Sequence, residues 1–136
     1  MASSSRKPYG ITLPLQRGPA GYFDQSFDVI TQMKTDLICL LSTVPGERRM
    51  NPKFGSRLFS VIFEFNNEAL GPIVGKIIRE DVSTYLPLLN IKSVNVDTSI
   101  AQQDIYSVAI HIVFTVNSIV DLGDQSVSLA FTQPIV

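Results

Sequence analysis

Residues 106–117, Tyr-Ser-Val-Ala-Ile-His-Ile-Val-Phe-Thr-Val-Asn, place a large apolar side chain at every second position. A period of two is typical of a β-strand, because successive side chains point to opposite faces of the sheet. The stretch therefore predicts a long strand with one face on a core. It is the clearest secondary-structure signal in the chain.

Shorter segments with the same period flank this strand on both sides. Their apolar positions are Val94, Val96 and Ile100 before it, and Val127, Leu129 and Phe131 after it. Residues 101–104 are the expected hairpin loop, and Leu122-Gly123-Asp124 is the expected second turn. We therefore predict a three-stranded antiparallel sheet. Residues 126–136 carry no charge, so the last strand is an edge that is open to pairing with another chain.

Upstream of the sheet, the apolar spacing changes to three and four residues, which predicts helices. The first runs from about Val29 to Ser42 with Asp28 as its N-cap, and a short one covers residues 56–65. The second main helix begins at Gly71-Pro72 and ends near Tyr85, because proline is tolerated in a first turn. We predict an α+β fold, with the two main helices and the short helix on one face of the sheet.

The first 26 residues predict an extended N-terminal arm, and residues 27–136 predict a single α+β domain. Three prolines in the arm, Pro8, Pro14 and Pro19, oppose a helix. The alternation of Ile11, Leu13 and Leu15 suggests an extended segment with one buried face. We expect the arm to be ordered after about Gly10 and to pack on its own domain or on a partner.

Composition and charge narrow the classes of partner. Apolar residues make up 45% of the chain and charged residues 17%, below the roughly 25% charged residues of an average soluble domain. Either the core is generous or neighbouring chains cover part of the surface. Residues 1–57 carry eight basic and four acidic side chains, and residues 58–136 carry three and eight. This polarity favours oriented contacts with charged partners over nucleic-acid binding.

Several other classes of function find no support in the sequence. No apolar run approaches the roughly 20 residues of a membrane-spanning helix, and no hydrophobic segment follows the N-terminus as in a secretory signal. We therefore expect a cytosol-like environment and neither a membrane nor a nucleic-acid partner. With one cysteine and one histidine, Cys39 and His111, we expect no disulfide, no metal site and no cofactor.

One catalytic alternative uses carboxylates. Glycoside hydrolysis needs two carboxyl groups that flank the bond, and Glu47 could act with Glu64 or Glu68 in a peptidoglycan-degrading enzyme. Two observations count against it: the chain has no Trp to stack on a sugar, and the arginines beside Glu47 favour the charged carboxylate that a general acid must avoid. We therefore expect no catalytic residue.

Residues 44–58, here called the central loop, are the most irregular part of the chain. Pro45-Gly46 predicts a type II turn and Asn51-Pro52 a second bend. Its ionisable residues are Glu47, Arg48, Arg49, Lys53 and Arg57, and Phe54 is its only aromatic residue. Such a loop could dock another chain; the alternative is a structured connector with a solvated charge cluster.

The central loop also resembles the signature of the gene-25-like baseplate wedge family of contractile phage tails, which is sometimes labelled lysozyme. That signature reads Thr-x-Pro-Gly-Glu-Arg, followed by Pro-x-Phe-Gly and a Leu. The matching positions are Thr43, Pro45, Gly46, Glu47, Arg48, Pro52, Phe54, Gly55 and Leu58. The order of helices and strands over residues 10–133 is similar too. One departure is Leu86-Pro87-Leu88, where the family often has Glu-Pro-Arg, so apolar packing is expected there in place of ionic contacts.

The resemblance implies a structural subunit, not an enzyme, in the baseplate of a phage tail, a type VI secretion system or a related machine. It implies that the first helix joins a bundle with larger wedge subunits. It also implies that the central loop docks partner carboxylates, and that the last strand pairs with the tail sheath to start sheath assembly. The residues expected at these contacts are Ile30, Met33, Leu37, Leu41, Glu47, Arg48, Arg49, Lys53, Phe54, Arg57, Pro87, Val127, Leu129 and Phe131.

Further expectations concern location and partners. The protein is expected in the tail baseplate of the virion, after assembly in the host cytoplasm, with tube or hub proteins as additional candidate partners. A third hypothesis, a bacterial adaptor of similar fold that binds a regulatory protein, predicts a soluble one-to-one complex.

Overall fold

A computed structural model of the protein describes residues 7–19, 21–64, 69–97, 105–117 and 123–134. The helices in these ranges are α1 (Val29–Ser42), α2 (Leu58–Glu64) and α3 (Leu70–Tyr85). The strands are β1 (Gly10–Ile11), β2 (Gln25–Ser26), β3 (Leu89–Asp97), β4 (Ile105–Val116) and β5 (Gln125–Pro134). The chain divides into two compact units, Met1–Cys39 and Leu40–Val136, which are described in turn.

The second unit contains a three-stranded antiparallel sheet in the order β3-β4-β5. In its register Ile112 lies opposite Val94 on one side and Val127 on the other. Every second residue of β4 from Val108 to Val116 is buried, while His111 between them is exposed. The predicted α+β fold and strand order are therefore confirmed, and so is the prediction of which β4 side chains face the core. The predicted loop at residues 101–104 lies outside the described residues.

The first strand of this sheet is longer than its alternation indicated. Residues 89–97 form β3, whereas the period of two begins only at Val94, because a bulge between Ile91 and Ser93 shifts the phase. The extra residue lets Leu89 and Ile91 share a face with Val94. Lys92 itself forms an ion pair with Asp124 at 2.5 Å. Both side chains are half exposed, so the pair adds no more than about 1 kcal/mol.

Helix α3 packs on β3, and α2 packs against α3. The inward residues of α3 recur every fourth position, as an amphipathic helix requires. They are Leu70, Val74, Ile78 and Val82, each with at most 2% of its surface exposed. Each contributes roughly 1.5–3 kcal/mol by leaving water. Lys76, Arg79 and Glu80 are exposed.

The helix boundaries follow the predicted signals closely. The Asp28 carboxylate accepts a hydrogen bond from the Thr31 amide at 3.4 Å, which confirms the predicted N-cap of α1. Helix α2 starts at Leu58, two residues later than predicted, because the Ser56 hydroxyl accepts the Leu58 amide from outside the helix. Helix α3 begins at Leu70, just before Gly71-Pro72. None of the described helices is long and apolar enough to cross a membrane.

In the first unit, the N-terminal arm doubles back on itself. The buried face predicted from Ile11, Leu13 and Leu15 is wrong, because Ile11 and Leu15 are exposed and only Leu13 is half-buried. β1 pairs with β2 in an antiparallel arrangement, with Gly10 opposite Ser26. The arm lies against the start of α1, where the Ser26 hydroxyl bonds to the Gln32 side chain, and Gln32 donates in turn to Asp36 at 2.7 Å. A pairing of two residues leaves no periodic pattern in the sequence, so it could not be predicted.

Candidate partner-binding site

The central loop is closed by its own backbone hydrogen bonds. The Gly46 amide donates to the Pro52 carbonyl at 2.8 Å, and the Glu47 amide donates to the Val44 carbonyl at 3.1 Å. Gly46 has a φ of +99°, as the third residue of a type II turn requires. A further bond joins the Phe54 amide to the Asn51 carbonyl. Both bends expected from the two prolines are present.

Glu47 holds the first of these bends from its side chain. Its carboxylate accepts a hydrogen bond from the Val44 amide at 3.1 Å, opposite in direction to the backbone bond between the same residues. Glu47 is therefore engaged in fixing the turn. The Glu64 side chain and Glu68, the two acids that the enzymatic hypothesis pairs with it, lie outside the described residues.

Gly55 closes the far end of the loop against its beginning. Its φ is +133°, and an added Cβ would lie 2.6 Å from the Thr43 carbonyl oxygen and 2.8 Å from the Pro45 nitrogen. Only glycine combines this conformation with so close a backbone approach. The next residue completes the closure, because the Ser56 amide donates to the Thr43 carbonyl at 2.8 Å.

Within the second unit, two side chains of α3 that lie one helical turn apart hold the central loop against this helix. The Ser56 hydroxyl donates to the Asp81 carboxylate at 2.5 Å, and the Tyr85 hydroxyl donates to the Lys53 carbonyl at 2.5 Å. The Phe54 ring meets the Tyr85 ring edge-to-face, with centroids 5.3 Å apart. Residues at i and i+4 lie on one helix face, so Asp81 and Tyr85 form a two-point clamp on the loop.

The Asp81 contact has an electrostatic cost. Burial raises the pKa of the Asp81 carboxyl above its ordinary value, because the charged form loses water. The hydrogen bond from Ser56 and the nearby charge of Arg57 offset part of that rise in the pKa, while Glu80 adds to it. The clamp thus holds a carboxylate that would be better solvated elsewhere.

The clamped loop presents cationic and apolar groups to solvent. The Arg48 guanidinium lies over the Phe54 ring, 4.0 Å from its centroid, so Arg48, Phe54 and Tyr85 form one contiguous cluster with a cation–π contact and an edge-to-face ring contact. Arg49 and Lys53 are exposed, and neither has an ion-pair partner within the described residues. Between Arg49 and Lys53, Met50 has 98% of its surface exposed. Arg57 is exposed as well.

The residues that follow the clamp extend this surface with apolar groups. Pro87 and Leu88 are exposed just after Tyr85. Leu88 is fixed by its carbonyl, which accepts the Asn117 amide at 2.8 Å. We call the exposed residues of the central loop together with Pro87 and Leu88 the loop surface. It carries positive charge around exposed apolar side chains.

The four residues of α1 that were expected to contact a wedge subunit are less exposed than the sequence indicated. They are Ile30, Met33, Leu37 and Leu41. Leu37 and Leu41 have at most 1% of their surfaces exposed, so in this conformation neither side chain can reach a partner. Ile30 and Met33 are half-buried, and only Thr31 and Ser42 of α1 are exposed. A periodic apolar stripe cannot distinguish the chain's own core from a contact with a neighbour, so the wedge contact of α1 stays a prediction for Ile30 and Met33.

The last strand forms an edge of the sheet, as predicted. Within the described residues β5 pairs with β4 alone. Val127 is buried, while Leu129 and Phe131 are half-buried on the same face, opposite Ile110 and Val108. Pairing with a further strand would therefore use the free backbone edge of β5, with Leu129 and Phe131 beside it.

Sequence reasoning missed the residues that position the loop. Ser56, Asp81 and Tyr85 were not among the expected contacts, yet they hold the two ends of the clamp. Asp81 and Tyr85 have the i, i+4 spacing of one helix face, but nothing in the sequence pairs that face with a loop about 30 residues upstream. No group of three or more metal-ligating side chains exists among the described residues.

The described residues thus form an α+β structure with a clamped basic loop and an open sheet edge. The family of baseplate wedge protein gp25 matches residues 30–119. The chain therefore belongs to that family. No curated protein matches the sequence.

Three solved structures share the fold. One, a provisionally assigned tail lysozyme from Geobacter sulfurreducens, has a TM-score of 0.63 and 19% identity, covering 80% of this chain and 93% of that one. A chain of the six-fold symmetrised anti-feeding prophage baseplate has a TM-score of 0.57 and 18% identity over 89% and 82%. A chain of the type VI secretion baseplate complex has a TM-score of 0.59 and 12% identity over 76% and 93%.

Family membership confirms the prediction made from the loop signature: the chain is a gp25-like baseplate component of contractile tail systems. At identities below one fifth, the three structures add the fold and nothing about residue roles.

Replacing Gly55 with Ala should lower the free energy of unfolding by more than about 2 kcal/mol, because strain at positive φ is joined by a clash with the backbone of residues 43–45. Gly71→Ala is the matched control, since open space surrounds Gly71 within α3. It should be neutral or stabilising by up to about 1 kcal/mol. Urea unfolding of both variants measures the difference, and equal effects would contradict the close approach at Gly55.

The free energy of unfolding of the Asp81→Asn variant should increase relative to that of the wild type as the pH rises. The folded pKa of Asp81 is raised, so the folded state holds its proton more tightly than the unfolded state. The wild type therefore loses stability as pH rises from the ordinary carboxyl pKa to the raised one, and the difference is constant above that. Urea unfolding between acid and neutral pH measures it; a difference that does not change with pH would refute the desolvation of Asp81.

Proposed function

We propose that the protein is a structural baseplate subunit that docks a larger wedge subunit through its loop surface. The observation that carries the proposal is the clamp: two side chains of α3 hold a loop whose Arg49, Met50 and Lys53 remain exposed. Cations without an ionic partner next to a fully exposed Met fit a partner with carboxylates around an apolar pocket.

Preorganisation is the physical reason to assign binding to this loop. Ordering a flexible side chain at an interface costs about 0.5–1.5 kcal/mol, and ordering the backbone costs more. Here the backbone is already fixed by hydrogen bonds at Gly46, Glu47, Phe54 and Ser56. Arg48 is also held over Phe54. A partner would therefore meet a surface with most of that ordering already complete.

The contact with a wedge helix bundle is proposed at exposed residues of the chain. Leu37 and Leu41 are buried, so α1 can offer Ile30 and Met33 at most. Arg48, Arg49, Lys53 and Arg57 supply charge, and Pro87 with Leu88 supplies apolar contact beside the clamp. The change from Glu-Pro-Arg to Leu-Pro-Leu would then select a partner with apolar side chains at that point.

We further propose that sheath assembly begins by strand pairing on the free edge of β5. An edge strand displays unpaired backbone donors and acceptors that template another strand. β5 carries no charged side chain, so nothing electrostatic opposes an approaching strand. Val127 is buried on the core side, which fixes the register that the incoming strand would meet.

Tube or hub proteins are further candidate neighbours in this proposal. The proposed location is the tail baseplate, after assembly in the host cytoplasm.

A cell-wall hydrolase is the second candidate function, because one solved structure of this fold carries a tail-lysozyme assignment. The geometry of Glu47 favours the structural role. Its carboxylate is exposed and bonded to the Val44 amide, whereas a general acid is kept protonated by an apolar site.

Charge reversal on the loop surface tests the docking proposal. Arg49→Glu with Lys53→Glu should reduce the amount of the protein incorporated into tail particles by at least about tenfold, because like charges then face the partner carboxylates. The unfolding midpoint should not change, since both side chains are exposed. Lys76→Glu with Arg79→Glu reverses two exposed charges on α3 and is the matched control, expected to assemble normally. Complementation followed by electron microscopy of purified particles gives the readout.

Normal assembly of the loop variant would refute docking through this surface. A soluble one-to-one complex with a regulatory protein, and none with tail subunits, would support the adaptor hypothesis in its place.

Wild-type protein incubated with purified peptidoglycan should release no more soluble muropeptide than a buffer blank. Glu47→Gln should behave like the wild type in that assay. The same substitution should lower stability by about 1 kcal/mol if the amide bonds to Val44 less well than the carboxylate does. Release of muropeptide by the wild type that is lost in Glu47→Gln would establish the enzymatic alternative.

A further inference from the structure

The described part of the N-terminal arm together with Phe27 directly after it (residues 7–27, called the arm from here on) exposes an unusual number of large apolar side chains. Of ten such exposed residues in the described part of the chain, six belong to the arm, and Tyr22 has 88% of its surface exposed. The six are Tyr9, Ile11, Leu15, Tyr22, Phe23 and Phe27. Single exposed apolar residues are ordinary, but a concentration in one short segment marks an interaction surface.

The inner side of the arm is polar. Ser26 is 2% exposed and donates to the Gln32 side chain on α1, and Gln32 donates to Asp36. The Thr12 hydroxyl reaches the Asp24 carboxylate at 3.4 Å. Polar groups therefore attach the arm to its own unit while aromatic groups face solvent, the reverse of what hydrophobic burial within a lone chain would select.

Close backbone contacts show that this arrangement is specific. A Cβ on Gly18 would lie 2.6 Å from the Phe23 carbonyl oxygen. The Tyr9 amide also donates to the Ser26 carbonyl at 2.8 Å, and the Asp24 amide donates to the Gln16 carbonyl at 2.8 Å. The outward aromatic groups thus sit on a defined ribbon.

Two hollows on the arm each combine a cation with an aromatic ring. One, of about 480 Å³, is lined by Lys7, Pro8, Tyr9 and Phe27. The other, of about 300 Å³, is lined by Arg17, Gly18, Pro19, Gly21 and Tyr22. Neither Lys7 nor Arg17 has an ion-pair partner within the described residues. Each hollow therefore places a cation that could bind a carboxylate beside one of the exposed aromatic side chains.

We infer that the arm is a second docking surface, which takes a short acidic segment of another tail protein with apolar side chains next to its carboxylates. Charge complementarity selects the acidic occupant, and the two separated hollows select side chains of an extended segment. The family match begins at residue 30, so the arm lies outside the part of the chain that defines the family.

The experiment uses the full-length protein and, as probe, an array of overlapping short peptides covering the other structural proteins of the same tail. Peptides that bind should be acidic and contain large apolar residues. Lys7→Glu with Arg17→Glu should weaken their binding by about tenfold or more, and Tyr9→Ser with Tyr22→Ser should do the same. Lys76→Glu with Arg79→Glu is the matched charge control and should bind like the wild type.

Two readouts separate this surface from the loop surface and from misfolding. For the peptides whose binding is weakened by Lys7→Glu with Arg17→Glu, the loop variant Arg49→Glu with Lys53→Glu should leave binding unchanged. Peptides that lose binding only in the loop variant belong to the loop surface, so the two proposals can fail independently. Circular dichroism should be unchanged in the charge variant, which replaces exposed side chains only. The inference is overturned if no acidic peptide binds, if the arm variants bind as the wild type does, or if the arm instead mediates self-association in light scattering or binding to anionic vesicles.

Discussion

The structure depends on α3, because this helix packs against the core with one part of its surface and holds the central loop with another. Its inward residues, Leu70 to Val82 at every fourth position, bury the apolar side of the helix. Asp81 and Tyr85 hold the central loop at Ser56 and Lys53. The central loop is thus tied to a helix that is itself packed on β3. Because its backbone is held in this way, the loop surface has a defined shape before any partner binds.

Asp81 carries the electrostatic cost of the clamp. Desolvation disfavours its charged form, and the hydrogen bond from Ser56 and the charge of Arg57 offset part of that cost. Gly55 has a positive φ that glycine adopts without steric cost, and the backbone of residues 43–45 lies close to it. A flexible connector would show neither feature, so the central loop is a structured element with a defined conformation.

The sequence predicted features that have a period or a local rule, and it missed those that need distant partners. The alternation at residues 106–117, the Asp28 cap and the bends at Pro45 and Pro52 follow from local chemistry, and the structure confirms them. The contacts of Asp81 and Tyr85 join residues about 30 positions apart, so no local pattern reveals them. The apolar spacing on α1 is a third case: Leu37 and Leu41 were expected at a partner contact and are buried within the chain, because burial by the chain itself and burial by a partner leave the same sequence pattern.

This ambiguity explains why exposed apolar residues are better evidence for partners than periodic ones. Met50, Leu88 and Tyr22 follow no period, yet the structure leaves each with more than half of its surface in water. Met50 and Leu88 lie within the region that defines the family, whereas Tyr22 lies before it. If the loop surface and the arm both dock partners as proposed, the subunit can contact two neighbours through surfaces that lie far apart in the sequence.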